Sequence, residues 1–174
     1  LRPDGEDGDY SIVPILDLTG INVLMRDFPY PASVDGGTVE IGPDFVIIND
    51  LSITGLTGGG LTVSGRADKD PASGDYLPRL KLSETLMPID GLLLHAIGGD
   101  AEQLLTDLGV TGVGTISGDL FQGPEDEDID MALDIVVTEG RAQPYGGSVV
   151  FDQVEGLLHL KGKSIPTMSF TGRR

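Results

Sequence analysis

Residues 129–138 read Ile129-Asp130-Met131-Ala132-Leu133-Asp134-Ile135-Val136-Val137-Thr138. Side chains of an extended chain alternate between two faces. Ile129, Met131, Leu133, Ile135 and Val137 therefore point one way, and Asp130, Ala132, Asp134, Val136 and Thr138 the other. Burying each of the five apolar side chains is worth about 1.5–3 kcal/mol, so their face does not stay in water. It meets either a second layer of protein or a lipid tail. An ordinary sandwich core and an apolar groove both satisfy this, and the residues alone leave both open. The aliphatic faces and an aromatic content of only 5% are compatible with acyl chains.

The same period recurs upstream. In Leu61-Thr62-Val63-Ser64-Gly65-Arg66, Leu61, Val63 and Gly65 share one face and Thr62, Ser64 and Arg66 the other. Tyr10–Asp17 reads as a strand interrupted by Pro14, after a polar, turn-rich lead-in at residues 1–9 expected to fray. Ile21, Val23 and Met25 alternate with polar or outward residues. Gly36-Gly37 is expected to turn the chain into Thr38–Ile41, and Gly42-Pro43-Asp44 to turn it again into Phe45–Asp50. Short strands separated by Gly, Pro, Asn and Asp predict an antiparallel meander. Strands resume at Val113–Phe121 and after Gly147.

Between these stretches the period changes. Pro88 precedes a segment in which Leu92, Leu93, Ala96 and Ile97 keep helical spacing before Gly98-Gly99. Asp100 with Gln103 three residues on resembles a capping box, and Leu104, Leu105 and Leu108 form an apolar stripe that Gly109 ends. Two short helices are predicted, Ile89–Ile97 and Ala101–Leu108. The expected organisation is a mainly β, antiparallel, curved or folded-over sheet. Residues 1–86 and 111–174 form two stretches of it, and residues 87–110 a two-helix insertion.

A phrase repeats across that insertion. Pro29-Tyr30, Val34-Asp35-Gly36 and Leu51-Ser52-Ile53-Thr54-Gly55 return, in the same order, as Pro144-Tyr145, Val154-Glu155-Gly156 and Met168-Ser169-Phe170-Thr171-Gly172. The intervals differ by a few residues, as loops between strands tolerate. A unit this long carries several strands, and copies of it extend one running sheet.

Composition bounds the partners. Twenty-eight acidic against eleven basic residues leave a net charge of −17 and a pI near 4.1, which repels phosphate backbones and speaks against nucleic-acid binding. The chain has no cysteine, which removes disulfides, thiol catalysis and cysteine-held zinc. No apolar run approaches the roughly 18–20 residues that span a bilayer, and no secretory signal opens the sequence. Beginning at Leu1 and ending in Arg173-Arg174 directly after the repeated phrase, the chain is expected to be a segment of a longer protein, with any anchor outside it.

The two longest patterned stretches are PRLKLSETLMPIDGLLLHAIGGDAEQLLTDLGVTGVGTISGDL (Pro78–Leu120) and QPYGGSVVFDQVEGLLHLKGKSIPTMSFTG (Gln143–Gly172). In the first, a strand runs into Leu-Met-Pro-Ile-Asp, two short helices and a restarted sheet. In the second, Pro-Tyr and Val-acid-Gly precede paired strands. Together they resemble the AsmA-like group of large bacterial envelope proteins, the TamB and YhdP type. The resemblance implies a long folded-over sheet, or β-groove, with an apolar concave side. It also implies a parent anchored in the inner membrane and extending through the periplasm, without enzymatic activity or cofactor. Such a protein moves phospholipid or another acyl-chain lipid toward the outer membrane, or assists outer-membrane assembly proteins. The residues expected to line the groove are Leu61, Val63, Ile129, Met131, Leu133, Ile135 and Val137. The acidic loops Asp4–Asp9 and Gly123–Asp128 have no place in this pattern.

Other chemistry finds little support. His95 lies in the first predicted helix and His159 alternates with Leu158 and Leu160 in a strand; neither has triad partners, and both read as structural. The acidic loops could offer carboxylates to calcium, but the EF-hand spacing starting at Asp4 fails because its fifth position is Gly8. Gly58-Gly59-Gly60 lacks the Lys-Ser/Thr of a phosphate loop. The rival to the lipid reading is a structural or adhesive extracellular β-repeat with a closed core, stabilised by calcium at the acidic loops.

Overall fold

Turn residues cut this chain into short strands, and the period-two alternation decides which face each strand buries. The computed structural model describes residues 2–4, 9–24, 28–83, 86–126, 128–162 and 164–174. The strands are β1 (Arg2–Asp4), β2 (Asp9–Ser11), β3 (Ile15–Asp17), β4 (Ile21–Val23), β5 (Ala32–Ile41), β6 (Phe45–Gly55), β7 (Gly60–Lys69), β8 (Tyr76–Ser83) and β9 (Leu86–Ile89). Helices α1 (Gly91–Ile97) and α2 (Gly99–Leu108) follow, then β10 (Thr111–Phe121), β11 (Asp130–Ala142), β12 (Phe151–Lys161) and β13 (Ser164–Arg173). A 3-10 turn at Pro144–Gly146 links β11 to β12.

β1 and β2 pair only with each other. The remaining eleven strands form one antiparallel, unclosed sheet in the order β13-β12-β11-β10-β8-β7-β6-β5-β3, with β4 also on β5 and β9 also on β10. The mainly β, antiparallel character and the two helices are as the sequence predicts. The lead-in is not wholly frayed, since Arg2–Asp4 pairs with Asp9–Ser11.

Directly paired residues of an antiparallel sheet share a face, so the pairings trace the inner surface from strand to strand. One line of neighbours runs Leu51–Val63–Leu82–Gly118–Leu133–Leu160 across six strands. Another runs Leu16–Val39–Ile48–Gly65–Leu80–Leu120–Met131. The opposite face is polar: Asp119 and Ser64 flank Lys81, and Asp134 pairs with His159.

The sheet is strongly curled. Ala32 of β5 and Leu133 of β11 line one cavity, although five strand spacings of ~4.8 Å would separate them by about 24 Å in a flat sheet. The curl has local causes in bulges and glycine kinks. Pairing shifts within β5 at Gly36, within β6 between Ile48 and Leu51, and within β10 at Val113/Gly114. Gly36-Gly37 is therefore not a turn but the bulged middle of β5. A Cβ on Gly37 (φ 124°) would lie 2.6 Å from the Leu51 Cα, so the bulges of β5 and β6 face each other. In β6 the bulge is pinned from β7: Ser64 Oγ accepts from the Asp50 amide (3.1 Å) and donates to Asp50 Oδ1 (2.9 Å). At the tip joining β7 to β8, the Ala72 and Ser73 amides donate to Asp70, and with the Ser73 hydroxyl they hold its carboxyl below the ordinary aspartate range.

Two features of the helical insertion differ from the sequence reading. Leu86–Ile89 is a strand paired with β10, so α1 starts two residues later than predicted. Its cap is Asp90, whose Oδ1 accepts from the Leu92 and Leu93 amides, both at 3.0 Å. Asp100 is not a cap. Gly98 alone lies between the helices, as the C-cap of α1 and the N-cap of α2, so Asp100 and Glu102 fall within the first turn of α2, where negative charge suits the helix dipole. Replacing Asp90 by alanine removes the one side-chain cap of the pair. We expect a loss of about 0.5–2 kcal/mol, read from the urea midpoint. An unchanged midpoint would mean that α1 is held by packing alone.

Candidate functional site

The inner surface is an apolar trough divided into two unlike halves. Over β10–β12 it is filled. Leu93, Leu94, Ala96 and Ile97 of α1 and Ala101 and Leu105 of α2 belong to one buried cluster with Ile116, Met131, Leu133, Ile135, Val137, Leu158 and Leu160. The helices thus supply the second layer that this part of the sheet requires. Among the described residues no polar or charged side chain is buried.

Over β5–β8 neither helix, among the described residues, contributes to the lining of the inner face's cavity. There the inner face lines a cavity of ≈ 130 Å³. Its floor comes from Leu51, Ile53, Leu61, Val63, Leu80 and Leu82, and its far wall from Ile116, Leu120 and Leu133. Tyr30 closes one end, lying on Gly55 so closely that a Cβ there would be 2.6 Å from its ring. Its hydroxyl reaches Thr57 Oγ1 at 3.4 Å. Water needs two or more polar partners to occupy so small a space, and an apolar cavity of this size stays dry or takes an apolar guest. Outward from the cavity the apolar lines continue to the sheet edge through Val39 and Ile48, ending at Leu16, 45% exposed, and at Ile21, 43% exposed.

The seven residues expected from sequence to line the trough are divided accordingly. Leu61, Val63 and Leu133 line the cavity. Met131, Ile135 and Val137 lie in the closed core with the helices. Ile129 is half-buried at the mouth of a separate, more polar depression shared with Pro29, Ala96, Ile97 and the carboxylates of Asp126, Asp128 and Asp130. Leu51, Ile53, Leu80 and Leu82 were not singled out from sequence. The signal was present as the short alternations Leu51-Ser52-Ile53 and Leu80-Lys81-Leu82.

The repeated phrases occupy matching places. Val34-Asp35-Gly36 lies on β5 and Val154-Glu155-Gly156 on β12; Leu51–Gly55 ends β6 and Met168–Gly172 nearly ends β13. In both pairs the acidic residue meets the threonine of the neighbouring strand. The Thr54 hydroxyl donates to Asp35, and Glu155 stands directly opposite Thr171. The tyrosines part company: Tyr30 is buried, but Tyr145 is 81% exposed.

The histidines sit at the surface. His159 Nδ1 is 2.6 Å from Asp134 Oδ1 on the polar face, and His95 Nδ1 is 3.3 Å from Glu102 Oε1 between the helices. In the Gly123–Asp128 loop, Asp126 Oδ2 accepts from the Gly123 amide (2.8 Å) and so closes its own turn. Among the described residues no three metal-ligating side chains converge; residues 5–8 of the other acidic loop lie outside the described residues. Among the described residues, no helix is long and apolar enough to cross a membrane. No protein family, curated protein or solved structure matches the chain.

Proposed function

We propose that the open half of the trough shields a lipid acyl chain while the polar headgroup stays outside, in the manner the AsmA-like resemblance implies. The observation that carries this reading is the apolar cavity floored by Leu51, Ile53, Leu61 and Val63, continuous with an apolar surface that reaches the sheet edge. At ≈ 130 Å³ the enclosed space is close to that of cavities that admit a benzene ring. It takes a stretch of hydrocarbon, and the remainder of the chain lies along Ile48, Val39 and Leu16. The role is passive: no reaction is assigned, and selectivity rests on side-chain character. The setting in this reading is the bacterial periplasm, the parent is anchored in the inner membrane outside these residues, and outer-membrane assembly proteins are the partners in the envelope.

The closed core beneath the helices favours a plain scaffold role for β10–β12, the part of the rival reading that has an observation behind it. The two halves are separated by substituting Leu61, which is only half-buried at the cavity floor. Leu61→Asp should leave the far-UV spectrum and melting curve close to those of the parent, yet reduce uptake of a fluorescent fatty acid by about tenfold, as one charge desolvated beside an alkyl chain requires. Native mass spectrometry of the purified chain should show bound phospholipid that the variant lacks. Equal uptake by a folded Leu61→Asp variant would remove the carrier role and leave the scaffold.

A further inference from the structure

The cavity of the open half has a built end, and what builds it bears on which hydrocarbon fits. Its lining follows β6 from Ile48 through Leu51 and Ile53 to Gly55, and at the Gly55 end stands Tyr30, 7% exposed. The next residues outward, Leu56 and Thr57, lie at the surface. The tyrosine ring thus stands between the enclosed space and the outside.

The ring is held from three directions. Tyr30 sits in Pro29-Tyr30-Pro31, and proline fixes its own φ and restricts the residue before it, so the backbone that carries the ring has little freedom. The Tyr30 amide donates to the Phe28 carbonyl at 2.7 Å, and the Leu56 amide to the Pro31 carbonyl at 3.4 Å, which ties this segment to the end of β6. Gly55 makes the room: a Cβ there would lie 2.6 Å from Cε1 and 2.9 Å from Cζ of Tyr30, although the backbone of Gly55 is not in the left-handed region. Glycine at this position therefore serves the ring and not a turn. The hydroxyl contributes less, because 3.4 Å to Thr57 Oγ1 is long for a pair of hydroxyls.

We propose that Tyr30 is the specificity-determining residue of the trough, an end stop against which the methyl end of one unbranched acyl chain abuts. This rests on the lipid reading above and adds to it the class of tail. A cavity of ≈ 130 Å³ is no larger than the space of about 150 Å³ that a benzene ring fills, so the tip of one chain occupies it and a fused-ring or heavily branched terminus does not. Such a terminus would have to displace a ring wedged between two prolines and Gly55, so discrimination comes from exclusion. The rest of the chain runs away from Tyr30 along Leu51 and Ile48.

The test uses the whole chain loaded with a fluorescent fatty acid and displaced by palmitate or by the same acid carrying an adamantyl group on its last carbon. On the parent, palmitate should displace the probe about tenfold better than the adamantyl acid. Tyr30→Ala should bring the two acids within about threefold of each other by admitting the bulky terminus. Should the alanine variant lack a cooperative melt, Tyr30→Leu, which keeps an aliphatic side chain in the core, should move the ratio in the same direction. Tyr30→Phe should keep the parent's preference, since the ring and not the hydroxyl forms the wall. A parent that takes both acids equally, a folded Tyr30→Ala or Tyr30→Leu variant that keeps the parent's preference, or a Tyr30→Phe variant that loses it would overturn the end stop and leave acyl binding in place. A parent that takes up neither the fluorescent acid nor palmitate would remove the lipid reading itself, and the end stop with it.

Discussion

Leu133→Asp is expected to leave the chain without a cooperative thermal transition. Leu133 is 3% exposed and sits between Gly118 and Leu160 on the line of inner neighbours. It touches both halves of the trough, belonging to the core closed by the helices and also to the wall of the open cavity. Losing its burial costs about 1.5–3 kcal/mol. The carboxylate adds several more, because a buried charge without a partner is strongly unfavourable, and the core holds no polar side chain among the described residues. The sum rivals the 5–15 kcal/mol that is the whole stability of an ordinary domain. Leu133→Met, close in volume, should cost less than about 1.5 kcal/mol. Circular dichroism during a thermal scan separates these outcomes. A Leu133→Asp chain melting within a few degrees of the parent would show that this face is wet, and the core described above would be wrong. From the sequence, Leu133 is expected only to line the groove. The structure makes its substitution a probe of folding, and moves the loading test to Leu61.

That reassignment shows where the sequence ceases to be informative. The faces of β7 and β11 were legible because period-two alternation survives without tertiary context. Whether an apolar face is core or groove was not, because both need the same side chains. The choice is made by Leu93, Ile97 and Leu105, whose own apolar stripes need cover and find it over β10–β12. Helical spacing revealed those stripes but not the part of the sheet they would meet. Gly36-Gly37 was read as a turn because glycine pairs usually are; its function here depends on the facing bulge at Asp50, twelve or more residues away. The cap was assigned to Asp100 on its spacing to Gln103, whereas the abutting helices leave Gly98 between them and Asp90 to cap the first. The repeat was readable as a phrase. That it marks an acidic–threonine pair across adjacent strands, Asp35 with Thr54 and Glu155 opposite Thr171, needed the pairing of the strands.

Gly118→Val should be among the costliest exchanges of a small residue for an apolar one. Gly118 joins β8 to β11 at the middle of the curl, opposite Leu82 on one side and Leu133 on the other. Its φ of +142° suits glycine and strains a β-branched residue. A Cβ there would also press on the Ala132 carbonyl oxygen and lie 2.9 Å from the Leu133 Cα, and these are backbone atoms held by strand pairing that cannot swing aside. Overpacking costs about 1–3 kcal/mol and a disallowed backbone conformation about 1–3 more, so a loss of roughly 2–6 kcal/mol is expected from urea unfolding. The matched control is Gly36→Ala, at a bulge where an added Cβ meets nothing within 4 Å and φ is not in the glycine region, with an expected change within about 0.5 kcal/mol. The contrast bears on function as well as stability. Gly118 has no side chain to fill the inner face at the point where Leu82 and Leu133 converge, so the close approach of β10 to its neighbours is what bends the sheet around the cavity. A valine tolerated at Gly118 as well as alanine is at Gly36 would mean that the strands do not approach so closely, and a flatter sheet would have no enclosed space for a guest.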